Sequence, residues 1–247
     1  MFDIRNKIVV VTGGLGQLGT QYIIALRGAG AKVVSIDLDI GDSTSESLLE
    51  IQADVTDKES LRSALAAVKA LWGVPDALIN NAAIDMPPDA AAGRFDDFSP
   101  EVWDKTMEVN AKGVFLCCQV FGEAMYRGGS IINVSSVYGM VSPDQRIYKQ
   151  GFNKPIAYCA SKAAVLNITR YLATLWGGKG VRVNSLTLGG VWNRQDQNFL
   201  DAYCQRVPMQ RMATEEEYNG AIIFLISDAS SYMTGANLVI DGGLTAW

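Results

Sequence analysis

Short β-branched runs alternate with longer stretches of helical spacing along the chain, a rhythm that predicts an α/β fold with a parallel sheet. Residues 7–11, 32–36, 48–53, 77–79, 130–134, 181–186 and 238–240 read as seven strands. Between them, residues 20–27, 57–71, 99–126, 157–176, 199–206 and 214–227 read as helices. Thr56 with Glu59 and Thr214 with Glu217 have the spacing of capping boxes, and Ser99-Pro100 sets a cap before a proline at the first helical position. Strands joined through helices imply right-handed crossovers. Residues 41–47 read as a polar surface connection, 83–98 as an irregular rim, 142–155 as a substrate-side loop and 192–212 as a flap. No repeat, low-complexity tract or linker divides the chain, so 1–247 reads as a single doubly wound domain.

The first strand runs into Thr12-Gly13-Gly14-Leu15-Gly16-Gln17-Leu18-Gly19 and then into a helix. That succession aims backbone N–H groups and a helix N-terminus at a phosphate. The second strand ends in Asp37, eighteen residues past Gly19. An acid at about that distance bonds the adenine-ribose hydroxyls in a dinucleotide fold. A carboxylate there repels a 2′-phosphate, and no Lys or Arg lies in the turn or just after Asp37, which favours NAD(H) over NADP(H). Asp54-Val55 and Asn80-Asn81-Ala82-Ala83 follow the third and fourth strands, at the strand ends where cofactor contacts gather.

Tyr158 and Lys162 lie four apart at the start of a helix and therefore share a face. An ammonium beside a phenol favours the phenolate, which makes Tyr158 a candidate proton donor and acceptor. Two other tyrosines, Tyr138 and Tyr148, have Ser142 and Phe152 four residues on and read as packing or substrate contacts. Asn110 stands in an otherwise apolar helix, where propensity disfavours it, and reads as a bend or a water site.

Composition narrows the alternatives. Apolar residues make up 49% and charged residues 19%, ample for a buried core. A net charge of −5 without a basic block argues against nucleic acid or an anionic membrane as a partner. The start of the chain has no signal-peptide pattern and no apolar run spans a bilayer, so the expectation is a cytoplasmic protein. The four cysteines form no C-x-x-C pair and histidine is absent, so no metal site is expected, and a His base is excluded.

In order and spacing, Thr12-Gly13…Gly19, Asp54-Val55, Asn80-Asn81-Ala82, Asn110, Ser136, Tyr158-Cys159-Ala160-Ser161-Lys162 and Arg182-Val183-Asn184 ahead of Gly189 resemble the short-chain dehydrogenase/reductases. The resemblance covers almost the full length and implies a Rossmann-like sheet with Ser136, Tyr158, Lys162 and Asn110 as the catalytic set. It further implies a nicotinamide cofactor held by Thr12, Gly13, Gly16, Gln17, Leu18, Gly19, Asp37, Asp54, Val55, Asn81, Ala82, Ala83, Tyr158, Lys162, Gly189, Val191 and Asn193. In the family's mechanism Tyr158 exchanges a proton with the substrate oxygen that Ser136 holds. Lys162 lowers the tyrosine pKa and holds the nicotinamide ribose, while Asn110 bends its helix and seats a relay water. A homotetramer is the family's common assembly.

Four positions depart from the pattern: Gln17 for the middle glycine of the turn, Ala83 for glycine, Leu188 for proline and Asn193 for threonine. Ser136 and Tyr158 are 22 residues apart, longer than usual, and the insertion is polar. With residues 190–196 and the chain's end, it is similar to a subgroup associated with bacterial surface-sugar and flagellin-glycan synthesis, including legionaminic-acid pathways. That implies a sugar-derived secondary alcohol or ketone, with Gln145, Arg146, Tyr148, Trp192 and Arg194 as substrate contacts; Lys149 and Lys154 are further polar groups of the insertion. Two alternatives stand beside it: a 3-oxoacyl-[acyl-carrier-protein] reductase, and a non-catalytic nucleotide-binding protein in which Gln17, Ala83 and Leu188 mark drift.

Overall fold

A computed structural model describes residues 1–41, 45–85 and 95–247. Seven strands, β1 (Ile8–Thr12), β2 (Lys32–Asp37), β3 (Leu48–Gln52), β4 (Ala77–Asn80), β5 (Gly129–Ser136), β6 (Val181–Leu188) and β7 (Asn237–Ile240), form one sheet in the order β3-β2-β1-β4-β5-β6-β7. Every pairing is parallel. The helices are α1 (Gln17–Gly28), α2 (Lys58–Leu71), α3 (Pro100–Met107), α4 (Gly113–Cys117), α5 (Ile156–Trp176), α6 (Gln197–Cys204) and α7 (Asn219–Ile226).

Side chains alternate between the two faces of a strand, so each central strand feeds two cores. Ile8 and Val10 of β1 join Val34, Leu78, Ile131 and Val183 beneath α2, α4 and α5. Val9 and Val11 join Val33, Ile79, Ile132 and Leu186 beneath Tyr22 and Leu26 of α1 and Ile222 and Leu225 of α7. Continuous burial on both faces explains the unbroken Ile-Val-Val-Val run of β1. Strands β5 and β6 each extend two residues past the expected end, because Ser135 and Ser136 go on pairing with Thr187 and Leu188.

The segment expected as a single helix after Ser99 is four pieces: α3, a π turn at Glu108–Lys112, α4, and a second π turn at Cys118–Gly122. Each π turn widens the helix by one residue and re-aims the turns after it. Ser99 caps α3 as expected, accepting from the Val102 N–H at 3.2 Å. The capping box at Thr56 is corrected: Asp57 caps α2, accepting from the Glu59 N–H, while the Thr56 hydroxyl donates to Asp54 at 2.8 Å. Thr214 and Glu217 do form a capping box, which opens a short 3-10 turn ahead of α7. The motif residues Arg182 and Asn184 staple β6 to the chain's end. Arg182 donates to the Leu225 carbonyl and the Ser230 hydroxyl, and Asn184 bonds Met233 and Ala236.

A third, smaller cluster joins the 142–155 insertion to the expected flap through Ile147, Tyr148, Phe152, Tyr203 and Val207. The Tyr148 ring lies 5.3 Å from both Phe152 and Phe199, and an Arg206–Asp144 ion pair closes the same seam. The flap is thus anchored rather than loose. Residues 42–44 of the polar connection and 86–94 of the rim lie outside the described residues. No helix among the described residues is long and apolar enough to cross a membrane.

Candidate active site

Strand order reverses between β1 and β4, and in open α/β sheets the crevice outside the strand ends at that point is where ligands bind. The Gly-rich turn stands there. Gly13 has φ +65°, and a Cβ on it would come 2.8 Å from the Ala82 Cα, so only glycine lets the turn rest on the segment after β4. Asn81 clamps the two together, its amide donating to the carbonyls of Thr12 and Gly13 at 3.1 and 3.0 Å. The Thr12 hydroxyl in turn accepts from the N–H groups of Asn81 and Ala82. Leu18, packed on the core, and Gly19 begin α1 behind the turn.

Helix α1 starts at Gly16 with no side-chain cap and no acid in its first turn, whereas Asp57, Ser99 and Asp196 cap α2, α3 and α6. An uncapped N-terminus directed at a crevice fits an anionic group such as a pyrophosphate. The Asp37 carboxylate lies beside this turn, accepting from the Leu15 and Leu38 N–H groups at 2.9 and 2.8 Å. Asp54 accepts from both the N–H and hydroxyl of Thr56, bonds that hold its carboxyl below the ordinary range. Val55 backs onto Gly113 at the start of α4. These residues fit a dinucleotide.

Gln17, the departure in the turn, sends its amide to the Trp192 carbonyl at 2.8 Å and so ties the turn to the 191–195 segment. There Val191 bridges to Ala213, and the Gln195 side chain ties the Asn193 N–H to the Val191 carbonyl. Arg194 adopts a left-handed backbone, φ 55°. Gly189 donates to the Ile240 carbonyl, docking the end of β6 beside β7.

Ser136 lies beside Tyr158, its hydroxyl easing ionisation of the phenol, although 22 residues separate them. Two contacts bring β5 against α5: the Ser135 hydroxyl donates to the Lys162 carbonyl at 2.9 Å, and Gly139 lies so close that a Cβ there would be 2.7 Å from the same carbonyl. Lys162 Nζ is 5.8 Å from the centre of the Tyr158 ring and donates to the Val134 carbonyl at 3.1 Å. Burial lowers the Lys162 pKa to about 8.

The expectation that Lys162 makes Tyr158 easy to ionise is corrected. Burial raises the phenol pKa, the nearby Asp85 carboxylate raises it further, and the neighbouring Ser136 hydroxyl only partly opposes them. Desolvation of a phenol set among Ser136, Tyr138 and α5 outweighs a cation whose own charge is weakened by burial.

Asn110 sits in the first π turn, and its side chain grips the backbone of Ile84 from both sides. It accepts from the Ile84 N–H at 2.8 Å and donates to the carbonyl at 2.9 Å, with a third bond to the Ser161 hydroxyl. It therefore locks the segment after β4 to α5 beside Tyr158. Tyr138 and Tyr148 pair with each other, their hydroxyls 2.9 Å apart, and burial raises both phenols.

Among the expected substrate contacts, Gln145 accepts from the Lys154 N–H, and the exposed Arg146 pairs with Asp144. Trp192 is about half exposed, at 53%. A cavity of 620 Å³ between Trp192, Cys204, Arg211 and Glu217 lies under the flap and includes none of Ser136, Tyr158 and Lys162. Sequence reasoning missed Asp85, which lies in an irregular stretch where neither periodicity nor motif marks it.

Comparison with known proteins agrees with this geometry. Residues 17–245 match the family model described as enoyl-(acyl carrier protein) reductase. The chain is 34% identical to an NAD-dependent glycerol dehydrogenase of Listeria innocua serovar 6a, covering 99% of this chain and 96% of that protein. It is 34% identical to the L-tagatose-forming galactitol 2-dehydrogenase of Cereibacter sphaeroides, covering 100% and 98%. A short chain dehydrogenase of Leptospira borgpetersenii with bound NAD+ superposes with a TM-score of 0.90 at 32% identity, covering 98% and 94%. A gluconate 5-dehydrogenase of Burkholderia cenocepacia in complex with NADP and tartrate gives 0.86 at 28% identity, covering 100% and 98%. With its sheet order, glycine turn and Ser-Tyr-Lys cluster, this chain belongs to the short-chain dehydrogenase/reductase family and is an oxidoreductase.

Proposed function

We propose that this protein transfers a hydride between NAD(H) and a secondary alcohol or ketone of a polyhydroxy, sugar-derived molecule. The observation that carries the reading is the convergence of Ser136, Tyr158 and Lys162 beside the crevice at the β1–β4 switch point. When bound, the dinucleotide supplies or takes up the hydride. Everything else falls to the chain. In the oxidative direction Tyr158 Oη, as the phenolate, accepts the proton of the substrate hydroxyl; in the reductive direction the phenol returns it, and Ser136 Oγ holds the same oxygen by a hydrogen bond. Lys162 lends its charge to the phenolate, and Asn110 keeps the Ile84 segment and α5 in register around it. The uncapped start of α1 takes the pyrophosphate, Thr12 and Asn81 hold the glycine turn in place beneath it, and Asp37 takes the adenine-ribose hydroxyls.

Asp37 supports NAD(H) over NADP(H), since it presents a carboxylate where the 2′-phosphate would sit. The similarity to glycerol and galactitol dehydrogenases supports a polyol substrate, and the polar 142–155 insertion supports a sugar of the surface-glycan kind. The same reading extends to a homotetramer of single-domain, cytoplasmic subunits, with exposed Phe115 on α4 and Tyr171 and Leu175 on α5 at the contacts. The test is the ultraviolet absorbance of NADH across a panel of sugars, polyols and ketoacyl thioesters. NAD+ reduction with a polyol or sugar is the expected result. Thioester turnover alone would favour the acyl-carrier reading, and cofactor binding without turnover the non-catalytic one. Asp37→Ser is expected to narrow the preference for NAD+ over NADP+.

Gly139→Ala tests the positioning of Ser136. The added Cβ meets backbone that cannot swing aside, so the turn must lift from α5 and carry Ser136 from Tyr158. The expected loss in kcat is about 10²-fold, with NADH binding kept.

A further inference from the structure

Lys154, at the end of the 142–155 insertion, is a buried cation that the catalytic steps assigned to Ser136, Tyr158 and Lys162 do not use. Its side chain is 6% exposed, and Nζ lies 4.7 Å from the centre of the Tyr158 ring, nearer than Lys162 at 5.8 Å. The Asp85 carboxylate, on the segment that Asn110 grips, accepts from this ammonium through both oxygens at 2.7 and 2.6 Å. At its other end, the Lys154 N–H donates to the Gln145 side chain at 2.9 Å. Only the lysine is buried, the Asp85 side chain being 43% exposed, and a pair open to water on one side adds little net stability, so the burial of Lys154 against Tyr158 calls for another reason.

We propose that Lys154 and Asp85 form a second positioning pair for Tyr158, holding the ring from the insertion side and setting, by their balance of charge, the pH at which it accepts the substrate proton. The inference deepens the oxidoreductase reading and rests on it. Charges near a phenol act with opposite signs: the carboxylate opposes the phenolate and the ammonium favours it. The other polar and titratable groups facing Tyr158 among the described residues are Ser136 and Tyr138 from β5 and its turn, and Cys159 and Lys162 from α5. They stay constant when the pair is altered.

The experiment measures kcat for oxidation of a polyol that the wild-type enzyme accepts, against pH, in full-length protein saturated with NAD+. NADH binding by fluorescence and circular dichroism serve as controls. Lys154→Met removes the ammonium beside the Tyr158 ring and is expected to move the acid limb up by about one pH unit; Asp85→Asn is expected to move it down by about as much. Lys154→Arg and the double variant Lys154→Met/Asp85→Asn are expected to keep the limb near its wild-type place, because charge is balanced in both. Opposite shifts restored by balance are not produced by a merely structural pair. Folded, NADH-binding single variants with unmoved limbs, or limbs displaced in the same direction, would overturn the proposal. A wild-type protein that binds NADH but oxidises no polyol would defeat the polyol reading, a failure separate from unmoved limbs in an active enzyme, and this inference with it.

Discussion

Tyr158→Phe is expected to lower turnover by about 10²–10⁴-fold while leaving NADH binding intact, the range that general acid–base catalysis typically contributes. The substitution removes a single oxygen. That oxygen is the group that receives the substrate proton, whereas the ring keeps its place beside Lys154 and Lys162. The measurement is steady-state oxidation with the best polyol of the panel, beside a fluorescence titration with NADH. A variant that turns over at the wild-type rate would remove Tyr158 from the chemistry.

Lys162→Met is expected to divide function from stability. Turnover should fall with the loss of the cation that supports the phenolate, yet the cofactor-free protein should become more stable. Lys162 has a pKa of about 8 in the fold against an ordinary 10.5. The folded state therefore binds this proton more weakly than the unfolded one. Stability accordingly rises with pH between about 8 and 10.5, and below that window the buried charge is a fixed penalty. Replacing it by an apolar chain of similar length removes the penalty, a gain on the order of 1–3 kcal/mol at pH 7. Each kcal/mol corresponds to about 2–4 °C in melting temperature for a protein of this size. The advantage over wild type should shrink as pH is raised through the window. Thermal melts of the two proteins at neutral and alkaline pH check this, and a variant that melts lower at neutral pH would contradict the account.

The glycine turn, Asp37 and the Tyr158–Lys162 spacing were legible in the sequence because each depends on local order: a strand, a turn that needs glycine, a helix that repeats every four residues. The five inner strands could be assigned for a similar reason, since burial on both faces leaves a short apolar run that little else produces. Helix starts were less secure where two caps competed, and Asp57 prevailed over Thr56 because Asp54 claimed the Thr56 hydroxyl. The two π turns were not legible, because they arise from how the segment packs and not from its own propensities.

By itself, then, the order of residues determined the layered sheet, the crevice at its edge and the identity of the Ser-Tyr-Lys cluster. The tertiary structure alone decided what surrounds the phenol. Asp85 and Lys154 are 69 residues apart and meet where Asn110 holds one segment and Gln145 the other. Enclosure by those segments raises the Tyr158 pKa where the helix spacing taken alone would lower it, since desolvation is a property of all neighbours at once and a spacing rule sees only two.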